Sequence, residues 1–236
     1  TFFNSGKPIL FPDITYSFYD VWAELFQIPY ERPALDDAFA LRLEDYQCEN
    51  GGIVIANPNA PTGIRQSEEF LRAVIEANPN VVVIIDEAYA DFSGYTALPL
   101  VDEYENVVVV QTFSKSRSMA GMRIGYAIAS PLLIKYLNDA KYSFNSYTMN
   151  KTSLVYGAEA VKDKEYFAET TRKIVETRDW AEEEFKKLGF VFPKPSANFI
   201  FVSHPEYDAK ELFEAMKAKG IYVRFWGSER IEQYLR

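Results

Sequence analysis

Lys115 stands in the run Thr112-Phe113-Ser114-Lys115, with Arg123 eight residues further on, directly after the apolar run Val107-Val108-Val109-Val110. Four consecutive branched apolar residues predict a buried strand, so the lysine lies just past a strand's carboxyl end. A primary amine condenses with an aldehyde to form a Schiff base, and Thr112, Ser114 and Arg123 can together hold a phosphate. The grouping therefore suits a phosphorylated aldehyde cofactor. Taken alone, it also describes a solvated loop lysine after a strand. Asp86 and Tyr89, 29 and 26 residues upstream, strengthen the chemical reading.

Asp86-Glu87-Ala88-Tyr89 follows a second apolar run, residues 81–85. In open α/β sheets, ligands bind beyond the carboxyl ends of the strands. A carboxylate placed there can pair with a protonated pyridine nitrogen and keep the ring an electron sink. Tyr89 can hydrogen-bond a phenolic oxygen on the same ring, and small Ala88 leaves room for a flat group. An aspartate capping the next helix is the plainer account of this tetrapeptide on its own. A third loop, Asn57-Pro58-Asn59-Ala60-Pro61-Thr62-Gly63, also follows an apolar run. Its two prolines and glycine fix a rigid turn that can aim an asparagine amide at a ring oxygen.

Positioning these loops requires a sheet. Residues 8–11, 52–56, 81–86, 107–111 and 125–129 read as strands, and their near-continuous hydrophobicity predicts a mostly parallel sheet covered on both faces. Ser67 is placed to cap a helix running to about Ala77, with Phe70, Leu71, Val74 and Ile75 inward. This alternation predicts an α/β domain. After about residue 150 the pattern changes. A long helix is expected over 164–188, stopped by Gly189, then a strand at 198–202. A helix over 208–219 opens on Asp208 and Glu211 and ends at Gly220, before a last strand at 221–225. The expected division is a large domain, 1–165, and a smaller C-terminal α+β domain, 166–236.

The 236 residues are 48% hydrophobic with a formal net charge of −9, which suits a packed core and argues against nucleic acid or an anionic membrane as partner. A lone cysteine, Cys48, excludes an internal disulfide and fits a reducing compartment such as the cytoplasm. It reads as a small, semi-buried residue rather than a nucleophile. The longest apolar runs are too short to span a bilayer, and no signal segment opens the chain. The one histidine, His204, reads as a surface loop residue, and no His/Cys cluster suggests a metal.

In their order along the chain, the 57–63 turn, Asp-Glu-Ala-Tyr at 86–89 and Ser114-Lys115 with Arg123 resemble the fold-type I pyridoxal-phosphate aminotransferases, most closely the histidinol-phosphate aminotransferases. Residues 11–19, Ser196-Ala197-Asn198-Phe199, the 220–224 segment ending in Arg224 and the closing Tyr234-Leu235-Arg236 fit the same pattern. The resemblance implies a homodimer that uses pyridoxal 5'-phosphate to exchange an amino group between glutamate and histidinol phosphate, in histidine biosynthesis. Lys115 becomes the Schiff-base lysine and proton shuttle, Asp86 the partner of the pyridine nitrogen, and Tyr89 the donor to the ring oxygen. Tyr16 stacks on the ring, while Thr112, Ser114 and Arg123 bind the phosphate. Arg224 and Arg236 take the anionic ends of the substrates.

The sequence departs from the family at two places. Ala60 stands where the family usually carries the asparagine that touches the ring oxygen, so Asn59 is expected to reach the cofactor instead. The family's glycine-rich phosphate-binding turn and an N-terminal segment that closes over the site have no counterpart, and the chain is expected to be cut at both ends. Other readings are a different class I/II aminotransferase, a threonine-phosphate decarboxylase, a regulatory domain that senses the cofactor, or an inactive remnant. The regulator reading requires an attached basic DNA-binding domain, which this sequence does not show.

Overall fold

The computed structural model describes residues 1–236. Six strands form one sheet: β1 (Ile9–Leu10), β2 (Tyr30–Glu31), β3 (Gly52–Ala56), β4 (Val83–Asp86), β5 (Val107–Thr112) and β6 (Gly125–Ala129). Their spatial order is β2-β1-β3-β4-β5-β6, with every neighbouring pair parallel except β5 and β6. The carboxyl ends of β3, β4 and β5 therefore share one edge. Because β6 runs the other way, its first residue lies at that edge too, with Gly125 opposite Thr112.

The period-two alternation of the strands sends side chains to two faces. On one face Ile53, Ile55, Val83, Ile85, Val107 and Val109 pack against Leu71, Val74 and Ile75 of α2 (Glu68–Ala77) and Leu100 of α3 (Leu98–Glu103). On the other, Ile9, Phe11, Val54 and Ala56 meet Tyr19 and Ala23 of α1 (Phe18–Leu25). Each large side chain so buried stabilises the fold by about 1.5–3 kcal/mol. Ser67 caps α2 as expected, its hydroxyl accepting from the Phe70 N–H at 3.2 Å.

Beyond the sheet come α4 (Pro131–Phe144), α5 (Lys151–Lys162), α6 (Lys164–Lys187) and α7 (Ala209–Ala218). Helix α6 ends where Gly189 adopts φ +85, letting the Phe190 N–H reach back to Phe185 O at 3.0 Å. Asp208 caps α7 by accepting from the Glu211 N–H at 3.0 Å. No helix is long and apolar enough to cross a membrane.

Two expectations fail here. Residues 198–202 and 221–225 form no continuous strands, only single bridges from Val202 and Phe225 to Leu235. Leu235 pairs with both Val202 and Phe225, and Arg236 with Arg224. Cys48 is exposed rather than semi-buried. His204 packs its ring on Phe190 and Tyr207, and its Nε2 lies 3.1 Å from Leu188 O beyond α6.

Candidate active site

The shared edge of the sheet opens into a cavity of about 460 Å³. Tyr16, Asp86, Ala88, Tyr89, Thr112, Ser114, Lys115 and Arg123 all line it. Asp86 is the last residue of β4, and each oxygen of its carboxylate accepts one hydrogen bond within the protein. Oδ1 accepts from the Ala88 N–H at 3.0 Å and Oδ2 from the Tyr19 hydroxyl at 2.7 Å. Burial pushes this carboxyl above the usual carboxylate range, while the Tyr19 hydrogen bond, the Ala88 N–H and the Lys115 charge pull the other way. Tyr19 is itself pushed up, first by burial and then by the Asp86 charge.

Lys115 lies just past β5, its Nζ 5.1 Å from the centre of the Tyr89 ring. The hydroxyl of Ser116 donates to Asp91, tying the lysine loop to the turn that follows Tyr89. From α6, Arg178 donates to Phe92 O at 3.0 Å and to Ala197 O at 3.1 Å, which holds Phe199 against Tyr89 at 5.0 Å between ring centres. At the other end of the cavity, Thr112 Oγ1 bonds Ser114 Oγ at 3.0 Å. The chain returns to this end through a left-handed Arg123 (φ 56), which turns the 3-10 segment Ala120–Met122 into β6. A non-glycine residue in that region is uncommon and is held there by its surroundings.

Asn59 does not face the cavity. Its Nδ2 donates to Ile14 O at 3.0 Å and Thr62 Oγ1 at 3.1 Å, and its Oδ1 accepts from Thr15 Oγ1 at 2.7 Å. The expected contact with a ring oxygen is therefore corrected. Asn59 pins the loop that carries Tyr16, and Ala60 lines the cavity in its place. The turn closes at Gly63, whose φ of +74 suits glycine and whose N–H reaches Asn59 O at 2.8 Å. Asn59→Ala should leave buried partners unpaired and cost about 1–3 kcal/mol. A lower urea midpoint with an unchanged slope would show it. An unchanged midpoint would contradict the bonding seen here.

A second cavity, about 240 Å³, adjoins the first through Tyr16, Tyr89 and Lys115 and is completed by Arg224 and Arg236. Its lining holds three cations and no carboxylate. Burial and then the neighbouring Arg224 pull Arg236 below its ordinary value, with only Tyr89 opposing. A larger cavity, about 610 Å³, lies behind the lysine loop between Arg117, Met122 and Phe167, and contains none of the residues singled out from sequence.

Tyr19, Trp22 and Trp226 are aromatic residues of these cavities to which the sequence assigned no role. Tyr19 sits inside the quoted 11–19 segment, three residues after Tyr16, but only the structure shows its bond to Asp86. Trp22 lines the first cavity and Trp226 the second. Tyr19 and Trp22 lie one turn apart on the same side of α1.

Comparison with known proteins bears on this arrangement. The family model for class I and II aminotransferases matches residues 1–236. The chain belongs to this family. It is 47% identical over all its length to the histidinol-phosphate aminotransferase of Lactococcus lactis subsp. lactis, covering 66% of that protein. It is 48% identical to the Clostridium beijerinckii histidinol-phosphate aminotransferase, again covering 66%. The chain thus spans about two thirds of the length of the curated relatives it matches. Among solved structures, the histidinol-phosphate aminotransferase of Clostridium acetobutylicum superposes with a TM-score of 0.89 at 23% identity, covering 97% of this chain and 72% of that one. The Sinorhizobium meliloti enzyme, in complex with pyridoxal-5'-phosphate, gives 0.85 at 22%, covering 99% and 66%. The fold is fold-type I, α/β with a mostly parallel sheet.

Proposed function

We propose that this aminotransferase uses pyridoxal 5'-phosphate to exchange an amino group between glutamate and histidinol phosphate, a step of histidine biosynthesis. The observation that carries the reading is the joined pair of cavities. One holds a half-buried carboxylate, a lysine and a cluster of two hydroxyls with an arginine, while the other is lined by cations without an acid.

The residues fit the cofactor. Thr112, Ser114 and Arg123 would hold its phosphate, Asp86 its pyridine nitrogen, Tyr89 its ring oxygen and Tyr16 the face of its ring. When bound, pyridoxal phosphate supplies an aldehyde and an electron sink. Asp86, fixed by Tyr19 and Ala88, holds a proton on the ring nitrogen. The Lys115 amine is the nucleophile and then moves the proton at the substrate Cα. Arg236 holds the anionic end common to both substrates and Arg224 makes the second anionic contact. Their planar forks suit both carboxylate and phosphate.

Pyridoxal phosphate added to the protein should give absorbance near the visible edge, which glutamate bleaches and imidazole acetol phosphate restores. No absorbance change with glutamate would overturn the reading. Arg236→Lys should lower kcat/KM for both substrates by about one to two orders of magnitude, since a charge-assisted contact contributes about 1.5–3 kcal/mol. Cofactor affinity should stay unchanged.

The same reading places the enzyme in the cytoplasm as a homodimer. Exposed apolar side chains support self-association, with Leu25 and Phe26 at the end of α1, and Phe144 at the end of α4 and Tyr147 beyond it, 95% and 93% exposed. We also assign residues 1–165 to a large cofactor-binding domain and 166–236 to a smaller one, since all six strands of the sheet precede residue 130.

A further inference from the structure

Arg224 and Arg236 are bound to each other through the backbone. The Arg224 N–H donates to Arg236 O at 2.9 Å, and the Arg236 N–H to Arg224 O at 3.0 Å. Such a reciprocal pair sets two residues directly opposite, where like charges repel. Two arginines set this close normally recruit a carboxylate, yet this cavity has none. What it has is Trp226, two residues after Arg224 and so on the same face of the extended chain.

The indole lies under both charges. The Arg224 guanidinium carbon is 5.6 Å from the centre of the Trp226 ring, and that of Arg236 is 5.5 Å away. Arg236 also lies 4.6 Å from the Phe199 ring. The negative face of an aromatic ring attracts a cation without using its N–H groups. A carboxylate in the same position would occupy the donors that must bind the substrate. The ring thus offsets part of the repulsion and leaves the donors of both forks free.

We propose that Trp226 is a positioning residue that holds Arg224 and Arg236 as one paired clamp for a phosphate group. A phosphate dianion has enough oxygens for two forks, whereas a carboxylate is satisfied by one. Trp226 therefore favours the phosphate-bearing substrate over glutamate. The inference rests on the assignment of both arginines to substrate anions.

The alternative role is packing, since Trp226 also touches Phe201 at 5.9 Å between ring centres. Leucine and phenylalanine separate the two, because both fill apolar space and only one has a ring face. The probe is inorganic phosphate, titrated by calorimetry into protein saturated with pyridoxal phosphate, whose own phosphate site is then occupied. Trp226→Leu should weaken phosphate binding about tenfold, and Trp226→Phe by less than about threefold. KM for histidinol phosphate should follow the same order and rise by a larger factor than KM for glutamate. Trp226→Met supplies the comparison should the leucine variant fail to fold. Equal phosphate affinity in the leucine and phenylalanine variants would reduce Trp226 to packing and overturn the proposal, as would equal losses for both substrates. If Arg224→Lys and Arg236→Lys leave phosphate binding intact, the substrate assignment falls and this inference with it. If they weaken binding but Trp226→Leu does not, only the inference falls.

Discussion

Lys115→Ala should lower amino transfer by about four orders of magnitude or more, the largest loss expected from any single change in this protein. Two functions vanish together. The amine is the only primary amine lining the cavity, and on the proposed mechanism it is also the proton carrier, a role that alone contributes roughly 10²–10⁴-fold. Its placement depends on little else in the side chain's surroundings. Nζ makes no hydrogen bond within the protein and rests over the Tyr89 ring at 5.1 Å, so removing it leaves the loop intact through Ser116 and Asp91. The variant should fold normally and still hold pyridoxal phosphate through Thr112, Ser114 and Arg123. Borohydride treatment of the parent should fix the cofactor on the peptide containing Lys115, and the alanine variant should show no adduct. An adduct on Lys135 or Lys141, or turnover retained in the variant, would sink the assignment.

The strands and loops of this site were legible because each apolar run ends in a polar tetrapeptide or turn. Branched residues at 53–55, 83–85 and 107–110 specify buried parallel strands, and the topology then brings Asp86, Tyr89, Lys115 and Arg123 to one edge. Helices α2, α6 and α7 were legible from their caps and their polar faces. Helices α1, α4 and α5 were not, and α1 and α4 open without a side-chain cap. Val21, Trp22 and Leu25 of α1 are 46%, 47% and 70% exposed. Asn59 was misread because a sequence shows an amide's chemistry but not which way it points. The buried partners Ile14 O, Thr15 and Thr62 come from the loop's three-dimensional closure. Tyr19 was invisible for a similar reason, since its partner Asp86 is 67 residues away along the chain.

Asp86→Asn should slow the half-reaction with glutamate severely while making the cofactor-free protein no less stable, and at neutral pH more stable. The two effects have one origin. Burial holds the Asp86 carboxyl above its ordinary range despite the Tyr19 hydroxyl, the Ala88 N–H and the Lys115 charge. The folded protein therefore keeps that proton more tightly than the unfolded chain does. As pH rises from the ordinary carboxylate range through the folded value, the unfolded state releases its proton first and the fold loses stability. Above that window the ionised carboxylate is a standing cost, offset only when a protonated ring nitrogen pairs with it. Asparagine has nearly the same shape and can still accept from the Ala88 N–H, but it carries no charge to desolvate. Thermal melts without cofactor should show the variant gaining on the parent as pH rises, with the difference vanishing in acid where both are neutral. With pyridoxal phosphate the order should reverse, because the neutral amide cannot hold the proton at the ring nitrogen. Tyr19→Phe should move the same way as Asp86→Asn in cofactor affinity, by a smaller amount, since it removes one of the two donors that orient the carboxylate. Near-normal rates with glutamate in Asp86→Asn would leave Asp86 as a structural residue at the end of β4. A parent and variant with identical pH dependence of melting would show that the carboxyl is not held against burial at all.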